Sequence, residues 1–195
     1  PDELVAAEMA RSADRAQSRC GLAASAAFLQ RAAELTPDPA ERVARSLAAA
    51  RAKLDVADLA SASSLLGVAE LGPVGALERA QVERLRAEIA FATRRGRDAP
   101  PLLLEAARRL EPLDLTLARE TYLEALASAI FAGRLATGPD ERQVAEAARK
   151  THPALDRGPA EALLAGLVTR FTDGYAASVA PLSAALRAFD RPDGG

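Results

Sequence analysis

Apolar residues recur along most of this chain at steps of three and four. Leu22, Ala26, Leu29, Ala32 and Ala33 share one helical face that closes at Leu35. Val43, Leu47, Ala50 and Leu54 repeat the pattern, as do Leu77, Ala80, Leu85, Ile89 and Ala92, and then Leu117, Tyr122, Leu126, Ala129 and Ile130. A period near 3.6 marks amphipathic helices with one face turned to a core. Breakers separate the runs: Gly72-Pro73, Arg95-Gly96, Pro112, Gly138-Pro139, Pro153 and Gly158-Pro159. Thr36-Pro37-Asp38-Pro39 is a stop and a restart. Proline cannot continue a helix, whereas Asp38 can cap a new one with Pro39 in its first turn.

The runs repeat on a longer scale. Markers placed at the turn before each second helix fall at Gly21, Asp58, Gly96, Gly138 and Gly174, which are 37, 38, 42 and 36 residues apart. Eight positions after four of the five markers stands a leucine, at Leu29, Leu66, Leu104 and Leu182; the fourth unit has Glu146 there. One helix–turn–helix unit every ~34 to 45 residues is the spacing of tetratricopeptide-like and HEAT-like arrays. The expected fold is therefore all-α: a TPR-like α-solenoid of about five antiparallel helix pairs, roughly ten helices, in a single domain over 1–190 with a disordered tail at 191–195. The fourth unit is the weakest, because its second helix, about Asp140 to Lys150, is polar and short. An ordinary helical bundle stays open as the alternative, since Ala-rich helices resemble one another by composition alone.

Composition sharpens this reading. Nearly half of the 195 residues are hydrophobic and only 4% are aromatic, with no tryptophan. Abundant Ala, Leu, Arg and Glu favour helix over strand. The formal net charge of −2 lacks the basic surplus with which nucleic-acid-binding domains neutralise phosphate, so no direct nucleic-acid partner is expected. The longest uncharged run, Gly174 to Leu186, has 13 residues and contains Pro181, too short for a membrane span. A single cysteine, Cys20, excludes an internal disulfide and points to a cytoplasmic setting. The chain opens on Pro1 and closes on Arg191-Pro192-Asp193-Gly194-Gly195, as expected of a piece of a larger regulatory protein.

Three phrases carry a family resemblance. The segment from Phe28 to Pro39 (FLQRAAELTPDP), that from Ala99 to Leu110 (APPLLLEAARRL), and that from Leu117 to Leu126 (LARETYLEAL) running into Phe131 to Leu135 stand in one order. Together they resemble the helical-repeat region of large ATP-binding LuxR-family transcriptional regulators, the actinobacterial relatives of the maltose-operon activator. The resemblance spans about Asp2 to Phe189. It implies a parent with an ATPase before this region and a promoter-binding helix-turn-helix after it, so that ATP belongs to the parent and no cofactor to this segment. It further implies a cytoplasmic interaction or sensor module that answers to a protein partner, to neighbouring domains of its own parent, to a small-molecule effector or to a second copy. A passive scaffold or spacer with no ligand of its own is the alternative. In agreement, the chain has no Gly-Lys pair and hence no phosphate-cradling loop. Leu35 to Val43 echoes the opening of a LuxR-type DNA-binding domain, but the required Gly-turn and basic recognition helix do not follow; Arg51 to Asp58 comes instead, with acids in the turn.

No reactive constellation emerges, and the expectation is a non-enzyme without a metal. His152 is the only histidine and stands beside Pro153 with no second soft ligand. Cys20 is expected to be a buried or half-buried, inert thiol. Asp140-Glu141 and Glu111 with Asp114 fit helix starts, where carboxylates meet the positive dipole end. Arg94-Arg95-Gly96-Arg97 fits a helix C-terminus, and Arg108 and Arg109 a solvated face. The candidate binding residues are Arg79, Glu83 and Arg86 on one first helix, and Arg119, Glu120 and Tyr122 on the next. First helices usually line the concave face of such arrays, where polar groups and an aromatic can hold a peptide or effector. The competing reading is a set of local ion pairs that solubilise the helices, each contributing tenths of a kcal/mol.

Overall fold

The computed structural model describes residues 2–94, 98–133, 138–151 and 158–189. Among them are ten α-helices and no strand: α1 (Glu3–Gln17), α2 (Leu22–Leu35), α3 (Pro39–Asp55), α4 (Leu59–Glu70), α5 (Ala76–Arg94), α6 (Ala99–Leu110), α7 (Leu115–Ala132), α8 (Glu141–Arg149), α9 (Pro159–Thr172) and α10 (Tyr175–Phe189). The protein is all-helical, as the periodicity predicts. The chain divides into two compact units, Pro1–Ile89 and Ala90–Gly195, where the sequence led us to expect one domain over 1–190. The expected tail at 191–195 lies outside the described residues, as does His152.

In unit 1, aspartates start α1, α3 and α4. Asp38 accepts a hydrogen bond from the Glu41 amide at 2.9 Å with Pro39 in the first turn, the arrangement the sequence suggests. Asp58 accepts from the Ser61 amide at 3.2 Å. Each cap satisfies an amide the helix itself cannot, a contribution of about 1 kcal/mol. α1 packs on α2, α2 on α3 and α3 on α4. The core gathers Val43 and Leu47 of α3, Leu65, Leu66 and Ala69 of α4, and Val82 and Leu85 of α5, with Leu29 of α2 packed against it. Two of these, Leu29 and Leu66, are the leucines that the repeat spacing singles out. Gly72 is required where it stands, since a Cβ there would come within 2.4 Å of Val43 Cγ2.

The turn between α1 and α2 corrects one expectation. Cys20 is exposed, not buried. It adopts φ of 58° where α1 gives way to the turn, and the next amide, of Gly21, donates back to the Ala16 carbonyl. A left-handed residue just past a helix end turns the chain outward, and the side chain goes with it.

Unit 2 is organised about α7. α6, α8 and α9 all pack on it, while α8 also meets α9, and α9 meets α10. Half of its residues are buried: Ala118, Arg119, Thr121, Tyr122, Ala125, Leu126, Ser128, Ala129 and Ala132. A helix covered on several sides carries apolar residues around most of its circumference. α8 is the short, polar helix expected over 140–150. Its nine residues are capped by Asp140, which accepts from the Gln143 amide at 2.8 Å while the Gln143 side chain accepts from the Asp140 amide at 3.1 Å. α9 and α10 approach closely at Gly166, where an added Cβ would lie 2.7 Å from Leu182 Cδ2. No helix among the described residues is long and apolar enough to cross a membrane.

Candidate functional site: polar grooves beside buried arginines

The six residues singled out from sequence divide between the units, three in each. In unit 1, Arg79 is exposed and its guanidinium donates to the Val74 carbonyl at 3.3 Å. Glu83 is half-buried. Arg86 is exposed and pairs with Glu70 of α4 at 2.5 Å. In unit 2, Glu120 is exposed, but Arg119 and Tyr122 are buried. This corrects the expectation that both line an open face: they look into the packing around α7.

Their roles follow from their partners. The Arg119 guanidinium donates to the Thr151 carbonyl from Nε at 3.1 Å and from Nη2 at 2.5 Å, and its Nη1 lies 3.3 Å from the Glu161 carboxylate. One side chain of α7 thus joins the second residue past α8 to the first turn of α9. A cation at a helix C-terminus is favoured by the unsatisfied carbonyls there, and the Glu161 carboxylate compensates the buried charge. The Tyr122 hydroxyl donates to Glu111, which stands at the C-terminal end of α6 and not at a helix start as its acidity suggested. Burial, and then the hydrogen bond to Glu111, push the phenol well above its usual range, while nearby Arg108 pulls the other way.

That cluster borders an open groove of about 640 Å³ between α6 and α8. Leu104, Ala147, Pro101 and Pro139 give it an apolar floor and edge, while Glu105, Arg108, Gln143, Glu146 and Lys150 supply polar walls. Arg108 is exposed, as expected, and belongs both to this wall and to the surroundings of Tyr122. Two acids and two bases beside an apolar floor suit a peptide or another molecule bearing both charges. A smaller groove, of about 340 Å³, opens in unit 1 among α1, α2 and α3, with Leu22 and Leu29 beside Asp14, Arg51 and Asp55.

The sequence reading missed a second buried arginine. Arg84 of α5 is nearly covered and lies 3.2 Å from Glu88, which also receives Arg51 of α3 at 2.6 Å; Arg51 in turn lies 3.3 Å from Asp55. The Arg84–Glu88 spacing of four is legible on a helix. The Arg51–Glu88 pair spans one repeat length, a contact that no local pattern reveals. Among the described residues, no group of three or more His, Cys, Asp or Glu is placed to hold a metal ion. Compared with known proteins, the chain matches no family model, no curated protein and no solved structure.

Proposed function

We propose that this chain is a TPR-like interaction and sensor module of an ATP-dependent LuxR-type transcriptional regulator. In this reading its helices form antiparallel pairs, and it couples partner or effector binding, or self-association, to ATPase and DNA-binding domains elsewhere in the parent. The observation that carries the reading is the agreement between repeat spacing and helix starts. α2 begins after Gly21, α4 after Asp58 and α10 after Gly174, and α8 follows Gly138 by three residues; Gly96 lies outside the described residues. The three sequence phrases supply the family, and the charged groove of unit 2 supplies a surface for a partner. Packed helix pairs can also transmit small rotations from one pair to the next.

The test is deletion of this region from the parent regulator. Regulated transcription is expected to disappear while ATP turnover remains measurable, and intact regulation after deletion would sink the proposal. The passive-scaffold reading draws support from the internal ion pairs of Arg86 and Arg119. Thermal-shift screening of the chain against candidate effectors and partner peptides separates the two, because a ligand that binds the folded form raises its melting temperature and a spacer has none.

A further inference from the structure

We infer that the outer face of α10 is a self-association surface, and that it pairs with α10 of a second copy about a two-fold axis. One side of α10 packs on α9, with Ser178 and Ala185 buried there. An adjoining set of residues, Tyr175, Val179, Leu182, Leu186 and Phe189, which shares Leu182 with the α9 contact, follows spacings of four, three, four and three. On a helix these five fall in one stripe about 80° wide, the narrow seam of a period near 3.5. Leu182 is half-buried against Gly166. The other four are open: Tyr175 is 71% exposed, Val179 48%, Leu186 64% and Phe189 54%. Among the described residues, the exposed apolar side chains elsewhere, such as Leu71 of unit 1, do not line up in such a seam along one helix.

The seam itself indicates its occupant. An apolar stripe of period 3.5 is complementary to another helix carrying the same stripe, because knobs at this spacing enter holes at this spacing. A two-fold axis sets the same patch against itself and needs no second kind of surface. Arg187 is the only charged residue of α10 and lies away from the seam, while the Arg170 guanidinium of α9 stands 5.5 Å over the Tyr175 ring and gives the seam one cationic end. Ala176 and Ser183 flank it and are small enough to let two helices approach. The open side chains offer roughly 400 Å² of apolar surface per copy, and with their flanks about 1,000 Å² for the pair, the size of a weak, reversible interface. Antiparallel pairing, centred on Leu182, also sets opposite helix-dipole ends together. This deepens the self-association part of the function proposed above, but it rests on α10 alone.

Sedimentation equilibrium of the 195-residue chain tests it. The apparent mass is expected to rise from one chain toward two with a dissociation constant of about 10–100 μM. Leu186→Glu is expected to hold the mass at one chain throughout, with helicity and melting temperature retained, and Val179→Glu to do the same by a separate substitution on the seam. Leu71→Glu, an equally drastic change at an exposed leucine of unit 1, is expected to leave the dimer intact. A chain that stays monomeric at about ten times the upper constant overturns the inference, and so does a dimer that survives both seam substitutions. Neither result bears on the deletion experiment, so the regulatory reading stands or falls separately.

Discussion

Each unit of this protein buries an arginine, and the two are held in different ways. Arg84 of unit 1 meets Glu88 one turn away on its own helix, and Arg51, itself well exposed, completes the cluster from α3. Arg119 of unit 2 reaches residues 32 and 42 positions away: a carbonyl beyond α8 and a carboxylate on α9. The first cluster adds charge to helices already joined by an aliphatic core of Val43, Leu47, Leu66 and Leu85. The second joins three helices where α8 is short and its buried residues are mostly alanine. A buried polar pin matters most where apolar burial is thin, because small side chains remove little surface from water.

The sharpest way to break this comparison is to remove each pin. Arg119→Ala removes the guanidinium that faces the Glu161 carboxylate and donates twice to the Thr151 carbonyl, and is expected to cost about 3–5 kcal/mol in urea unfolding. Arg84→Ala leaves Glu88 still paired with Arg51 and is expected to cost only about 1–2 kcal/mol. Equal losses would show that the two clusters do the same structural work.

Two glycines offer the next contrast. Gly166→Ala drives a methyl group into Leu182 and is expected to destabilise by about 1–3 kcal/mol. At Gly67 of α4 a Cβ meets nothing within 4 Å, so Gly67→Ala is expected to stabilise by about 0.5–1 kcal/mol through helix propensity. Thermal melts of both variants check the signs, and the same sign for both would refute the close approach of α9 to α10. Similar in size to the Gly67 effect, and equal in the two units, are the caps. Asp58→Ala and Asp114→Ala are each expected to cost about 1 kcal/mol, read as a shift of the denaturation midpoint.

The smallest effect at neutral pH belongs to Tyr122 and appears on the alkaline side. Its folded-state pKa is raised, so the stabilisation is fully present below the unfolded value of about 10 and is lost as pH rises from there. Unfolding free energy is expected to fall more steeply with pH above about 10 in the native protein than in Tyr122→Phe. Parallel slopes would remove the burial of the Tyr122 phenol, and with it the bond to Glu111, as the cause.

Much of the architecture was legible along the chain. The apolar runs gave the helices, and Asp38 with Pro39 marked the start of α3. The polar stretch after Gly138 became the short α8, and Leu66, picked out by repeat spacing, lies in the core of unit 1. The candidate site was legible only as a set of residue types. Arg119 and Tyr122 have the composition of a binding face, and so do Glu105, Glu146 and Lys150, which line the groove. Periodicity could not distinguish them, because α7 is covered on several sides and its polar residues are drawn inward by partners at Thr151, Glu161 and Glu111. Cys20 deceived for a related reason: its exposure follows from a left-handed turn, not from the helix before it.

By itself, then, the sequence determined the helical character, the order of the runs and the caps at Asp38 and Asp140, since each depends on residues within a turn or two of one another. Tertiary structure alone decided where the chain divides into two units, which arginines are enclosed, and that the seam of α10 stays open. Those outcomes depend on which helix covers which, and packing partners far apart in the chain leave no local trace.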